Sequence, residues 1–345
     1  MTRDSKEQIV RDLAEKFVLE FDNASKMHSA SDCYGFYYSY NTALHTAVQL
    51  AHIAGGGEAD RLCPQQFTAS MSAGEKKAFL KLACTLNLAE AGRKKRFLID
   101  WFCRTLKKLR IHSSGEIKSL TESLERIYER DLFWNLRDIS LYNPACRPGF
   151  VFRSSTLTSC QEPEIFEKFM KRCPVTTIVD LRNNKEVSSA PYNEKLLEKF
   201  GLKYLPIPLE TKTPPAFNAL FPEERGMTKA YRWLAAGPEN KESFKKFFTS
   251  LNPAEEVLLI HCNAGKDRTG ALCALIALLA GENREHIEQD YLASESDCKP
   301  EYIRAFLETV EDSGGTEKYL FSCGIPAEKI SLWQNCVKCK STVLL

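Results

Sequence analysis

The chain reads as an all-helical module followed by an α/β domain, whose central, largely parallel sheet is flanked by helices. Three observations predict this. Residues 1–136 carry apolar side chains at helical spacing and show no strand pattern. From about Arg137 short apolar runs alternate with helical segments, the order that packs helices on both faces of a parallel sheet. The stretch Val257–Leu279, VLLIHCNAGKDRTGALCALIALL, has the order of a buried strand, a tight loop and a buried helix closed by Gly281. A length of 345 residues fits two domains at ~150 residues each, and we place the boundary between 1–136 and 137–345.

In the first module, Ile9, Val10, Leu13, Phe17, Val18 and Phe21 form one amphipathic face. A second helix is expected from Tyr37 to Ala54, stopped by Gly55-Gly56-Gly57, and a third from Ser72 to Asn87. Arg93–Arg110 and Ile117–Trp134 complete the module. In the Arg93–Arg110 stretch, basic residues outnumber the single acid Asp100, and Phe97, Leu98, Trp101, Phe102, Leu106 and Leu109 supply an apolar face. Such a helix either docks on an anionic membrane surface or serves as a bundle helix with a solvated basic face. The second reading is preferred.

In the second domain, strands are expected at Phe150–Phe152, Val175–Leu181, Tyr204–Leu209 and Val257–Ile260. Helices are expected at Glu162–Arg172, Glu194–Phe200 and Thr228–Leu251. After Gly281 the chain is helical, with Pro300 and Pro326 at first-turn positions.

The composition is that of a globular protein, 43% hydrophobic and 27% charged, and a net charge of +2 gives no push toward nucleic acid. Thirteen scattered cysteines, an odd number, fit free thiols in a reducing compartment. The charged N-terminus, without a signal-like apolar core, and the absence of an apolar run long enough to span a bilayer lead us to expect a cytoplasmic, at most membrane-peripheral, protein. Cys336 and Cys339 form a lone CxxC with no second pair, so neither zinc nor redox chemistry is expected there.

The chemistry concentrates between Cys262 and Arg268, which Asn263, Ala264, Gly265, Lys266 and Asp267 separate. A thiolate is a strong nucleophile, and a helix N-terminus with cationic neighbours favours it over the thiol. Cys262 has both in prospect, from Lys266, Arg268 and a helix starting near Thr269. The five loop residues can turn successive N–H groups inward to bind a tetrahedral dianion. Arg268 offers a planar fork to two phosphoryl oxygens, which a lysine could not reproduce. The plain alternative is that Cys262 is one thiol among thirteen. The strand before it and the helix after it speak against that.

HCNAGKDRTG resembles the signature of the Cys-based protein tyrosine and dual-specificity phosphatases. Its ending is similar to that of the atypical group containing the mycobacterial secreted tyrosine phosphatase B. Arg137-Asp138, Phe152-Arg153-Ser154, Ile178–Arg182 with Glu186, and Asp290-Tyr291-Leu292 resemble that group's other motifs in the same order. The resemblance covers the chain from about Arg137 onward and leaves the helical module out. It implies a Cys-phosphatase-like fold and hydrolysis through a phosphocysteine on Cys262, with no metal and no cofactor. Arg268 and the loop amides from Asn263 to Arg268 would hold the phosphate, Thr269 would hydrogen-bond the thiolate, and His261 would brace the loop. For the general acid, three carboxylates compete: Asp180 ranks first, then Asp267, then Glu210.

The expected substrates are phosphotyrosine proteins, phosphoinositides or both. Lys266 adds a second cation, which suits leaving groups that carry further phosphates and is similar to a lysine of the tensin-related lipid phosphatases. The alternative reading is a phosphate-binding pseudophosphatase or a scaffold that docks through the helical module. The presence of Cys262, Arg268 and Thr269 argues against lost catalysis.

Overall fold

The computed structural model describes residues 3–29, 32–57, 73–83, 91–158, 160, 162–224, 226–294 and 297–339. Two compact units divide the chain, Met1–Leu132 and Phe133–Leu345.

The first unit is a bundle of α1 (Arg3–Ser29), α2 (Cys33–Ala54), α3 (Ala73–Leu80), α4 (Ala91–Leu109) and α5 (Ser114–Leu132). Asp32 starts α2 by accepting a hydrogen bond from the Gly35 N–H at 2.8 Å, and the expected glycine stop caps it through Gly55. The third helix ends at Leu80, earlier than expected, and residues 72 and 84–87 of that expectation lie outside the described residues. Phe17, Phe21, Phe36, Tyr40, Leu98, Phe102 and Leu106 are all 0% exposed, and the rings of Phe17 and Phe102 stack 3.8 Å apart.

This favours the bundle reading of Arg93–Arg110 over the membrane one. Its apolar stripe builds the bundle core, with Leu98, Ile99, Trp101, Phe102 and Leu106 buried. Part of the basic face is also paired. Arg96 makes two bonds to Glu125, at 2.6 and 2.8 Å, and Lys108 reaches Glu75 at 3.0 Å. Among the described residues no helix is long and apolar enough to cross a membrane.

The second unit is built on five strands, β1 (Arg137–Asp138), β2 (Val151–Ser154), β3 (Thr177–Asp180), β4 (Lys203–Pro206) and β5 (Leu258–His261), in the order β1-β2-β5-β3-β4. All neighbours are parallel except β1 and β2. β2, β3 and β5 are buried at every position, which is why they read as unbroken apolar runs rather than alternating ones. β5 lies between β2 and β3, so its carboxyl end opens at the centre of the sheet.

Around the sheet run α6 (Pro163–Arg172), α7 (Asn184–Ser189), α8 (Glu194–Lys199), α9 (Pro215–Leu220), α10 (Met227–Ala236) and α11 (Pro238–Ser250). After β5 come α12 (Asp267–Ala280), α13 (Arg284–Leu292), α14 (Pro300–Asp312), α15 (Thr316–Ser322) and α16 (Ala327–Val337). α12 is apolar on every side and correspondingly buried, and Gly281 ends it in the left-handed region with φ 86°. The single helix expected over Thr228–Leu251 is two helices. Gly237 takes an extended ψ of 128°, and Pro238, with no N–H to donate, opens the second helix. The two-residue β1 and the short α7 and α9 have no legible periodicity at all.

Candidate active site

Residues 262–266 leave β5 and enter α12 with almost every carbonyl of the turn taken up from outside. The Thr156 N–H donates to the Asn263 carbonyl at 3.0 Å. Asn135 Nδ2 donates to the Ala264 and Gly265 carbonyls at 3.3 and 2.7 Å. Arg153 Nη2 donates to the Gly265 and Lys266 carbonyls at 2.7 and 3.4 Å. In a trans peptide the C=O and the following N–H point in opposite directions. Carbonyls held outward therefore turn the N–H groups of Ala264, Gly265, Lys266 and Asp267 inward. Among the described residues no hydrogen bond takes up an N–H from Asn263 to Arg268. This is a nest at a helix N-terminus, electropositive by construction.

Gly265 is required by geometry on two counts. Its φ is 68°, and a Cβ there would lie 2.1 Å from the Ser154 carbonyl oxygen. The loop thus presses directly on the end of β2.

Arg153 is itself fully buried and bonds the Asp290 carboxylate, which Arg137 Nε also reaches at 2.8 Å. Burial and the Arg153 charge press the pKa of Arg137 down. Burial opposes the charge of Arg153 too, but Asp290 outweighs it and the net shift is upward. Two guanidiniums on one carboxylate leave a net positive charge beneath the loop.

Cys262 follows His261 and is 3% exposed. Arg268, on the first turn of α12, is held in a bidentate pair with Glu186 at 2.6 and 2.7 Å. Burial works against its charge, but the Glu186 bonds and the Cys262 and Glu186 charges dominate and raise its pKa. Glu186 is fixed in turn, because it closes a capping box with Asn183 at the start of α7. Its carboxyl stays below the usual range, chiefly through Arg268.

His261 is fully buried beneath the loop. Its Nδ1 lies 2.9 Å from the Cys262 carbonyl and its Nε2 3.0 Å from the Tyr192 hydroxyl. A carbonyl only accepts, so Nδ1 carries the proton and Nε2 accepts from Tyr192. Burial keeps this ring neutral by lowering its pKa. The Thr269 hydroxyl is buried and without a hydrogen-bond partner, so the expected bond to the Cys262 sulfur is not formed here. Lys266 Nζ reaches the Asp297 carbonyl at 3.4 Å and lies 3.7 Å from Asp267 Oδ1.

The three acid candidates separate cleanly. Asp180, ranked first from sequence, is 0% exposed, and Arg182 Nε and Nη2 reach its carboxylate at 2.6–3.1 Å. Tyr204 adds a bond at 2.8 Å. Burial would raise the Asp180 pKa, but the Arg182 hydrogen bonds and charge outweigh it, and the carboxylate is held below its usual range. A buried, doubly bonded anion has no proton to donate, so Asp180 is corrected to a structural residue. Glu210 caps its own turn, accepting from the Lys212 N–H at 2.8 Å. Asp267 is half-buried on the first turn of α12, and Tyr231 donates to its Oδ1 at 2.6 Å.

Sequence reading missed Asn135, Tyr192 and Tyr231, and quoted Glu186 without a role. Arg137 follows Asn135 by two residues, and that short motif was the one available signal.

A parallel sheet whose central strand delivers a cysteine, a nest of amides and a clamped arginine defines a Cys-x5-Arg phosphatase architecture. The profile of the tyrosine phosphatase family matches residues 129–337, more than half of the chain, and the chain belongs to that family. It is a phosphatase acting on phosphorylated substrates. Over 210 residues it is 28% identical to the triple specificity protein phosphatase PtpB of Mycobacterium tuberculosis (strain ATCC 25618 / H37Rv), covering 53% of this chain and 74% of that protein.

Two outcomes test the site. Gly265→Ala should lower kcat/KM for p-nitrophenyl phosphate by ~100-fold or more, since displacements near 1 Å cost that much. The second concerns His261. The unfolded ring takes a proton near pH 6.5, the folded ring only at lower pH, so stability is full above that value and declines below it. His112 is shifted the same way, so the comparison is with His261→Gln. The wild-type Tm should fall more steeply than that of the variant between pH 7 and 5.

Proposed function

We propose that this chain hydrolyses phosphomonoesters through a phosphocysteine on Cys262, with Asp267 as general acid and then base. The Cys262 thiolate forms a bond to phosphorus while the bond to the leaving oxygen breaks, and Asp267 gives that oxygen its proton. A water oxygen then attacks phosphorus, the P–S bond returns its electron pair to sulfur, and the Asp267 carboxylate takes the water's proton. Inorganic phosphate leaves. The amides of residues 263–268 and the Arg268 fork hold the equatorial oxygens throughout. The Thr269 hydroxyl is free to bond the thiolate, and His261 braces the loop from below.

The observation that carries this reading is the set of unpaired, inward N–H groups beside Cys262 and an arginine already fixed by Glu186. Asp267 is preferred as acid because it is the one candidate carboxylate that lies in the loop and is neither fully buried nor ion-paired to an arginine. We assign catalysis to residues 137–345, with 1–136 as an accessory helical module. The free thiols among the described cysteines support a cytoplasmic setting.

The substrates we propose are phosphotyrosine proteins and phosphoinositides. Family membership supports the first, and the relative's triple specificity supports a broad range. Lys266 supports the second, because its ammonium has only an Asp297 carbonyl and Asp267 near it among the described residues. An anionic membrane surface gains no support from the Arg93–Arg110 stretch, whose apolar face is inside the bundle.

Cys262→Ser should abolish phosphate release from phosphotyrosine peptides, phosphoserine peptides and phosphoinositide vesicles alike. Activity in that variant on any of the three would overturn the phosphocysteine. Asp267→Asn should slow phenyl phosphate turnover by ~10²–10⁴-fold and affect an ester with a far more acidic leaving group much less. An equal loss on both esters would remove Asp267 as the acid.

A further inference from the structure

We infer that Asn135 is a positioning residue for catalysis, holding the peptide planes that aim the Gly265 and Lys266 N–H groups at the phosphate. This rests on the reading that residues 262–268 are the phosphate cradle. Three observations carry it. Asn135 has φ 61°, one of two non-glycine residues with positive φ among those described. Asparagine tolerates that region better than most residues, and such strain persists where the surroundings over-determine it. Its Nδ2 donates to both the Ala264 and Gly265 carbonyls, at 3.3 and 2.7 Å. Its Oδ1 accepts from Arg137 Nη1, which fixes the amide so that the nitrogen faces the loop.

The assignment follows from what each peptide plane must do. An Ala264 carbonyl pointing outward puts the Gly265 N–H inward, and an outward Gly265 carbonyl does the same for Lys266. Arg153 shares the Gly265 carbonyl, but among the described side chains only Asn135 holds that of Ala264. The Ala264–Gly265 plane turns about the Ala264 ψ and the Gly265 φ, and since glycine populates both signs of φ it needs a side chain to hold it. Without Asn135, one wall of the cradle loses its fixed orientation.

Asn135→Gly is the decisive variant, because glycine accepts φ 61° and removes only the side chain. Asn135→Asp keeps the shape and the Arg137 contact but turns an acceptor toward two carbonyls. In both, kcat/KM should fall and the vanadate inhibition constant should rise, each by at least ~10-fold, the scale on which a single lost oxyanion donor acts. The Tm of Asn135→Gly should stay at or above wild type. Wild-type kinetics and vanadate inhibition in Asn135→Gly would overturn the inference. So would a kinetic loss accompanied by a lowered Tm, which marks a merely structural residue. Activity in Cys262→Ser would instead overturn the cradle reading itself; an inactive Cys262→Ser beside a normal Asn135→Gly would sink the positioning role alone.

Discussion

The phosphate cradle we propose is made of backbone and needs its peptide planes turned one way, and an isolated loop has no reason to hold them. Inward N–H groups repel one another, and among the described residues no protein acceptor pairs with them. The carbonyls of this loop are therefore secured from behind. Asn135, Arg153 and the Thr156 N–H draw them outward, and the Gly265 backbone is pressed against the end of β2. The site is preorganised from its far side.

That arrangement moves the electrostatic burden to a place no substrate reaches. Arg137, Asp290 and Arg153 are all nearly buried, and a buried ion pair is weak evidence for stability, since desolvation offsets attraction. Losing one partner is another matter, because the charge left behind is destabilising by ~3–5 kcal/mol. Two guanidiniums on one carboxylate make sense only when the surplus positive charge faces something. Here it faces the row of loop carbonyls. The cluster is a specificity device for one backbone conformation, and β1 and α13 are the elements that bring its parts together.

The architecture was legible where periodicity was strong. Buried strands β2, β3 and β5 and the all-apolar α12 announce themselves, as does the Cys-x5-Arg spacing between them. Elements fixed by tertiary contact rather than by pattern were not. β1 is two residues long, and α7 is held by one capping box. The Gly237-Pro238 break was written in the sequence as a helix stop followed by a first-turn proline, and the surrounding apolar spacing outweighed it. In the first unit the basic amphipathic pattern was read correctly, but a pattern cannot say whether an apolar stripe meets lipid or a neighbouring helix. Phe102, stacked on Phe17, decides for the helix.

The acids show most clearly why a motif position does not fix a role. Asp180 and Asp267 are the same side chain near the same loop, separated by environment. Asp180 is sealed under the sheet end with Arg182, Tyr204 and His261 around it, and each neighbour favours the anion or is indifferent to it. Its work is to orient Arg182, whose Nη1 reaches the Ala190 carbonyl at the end of α7, the helix that presents Glu186 to Arg268. The consequence is a division of labour among carboxylates: Asp180 and Glu186 stay charged to keep two arginines in place. In the reaction we propose, the proton comes from a group that neither arginine binds. Asp267 meets that condition, and it accepts a bond from Tyr231, whose own pKa burial and Asp267 push well up, so that donor stays protonated. The carboxylate we propose as acid is thus oriented by a neutral hydroxyl and not by either arginine.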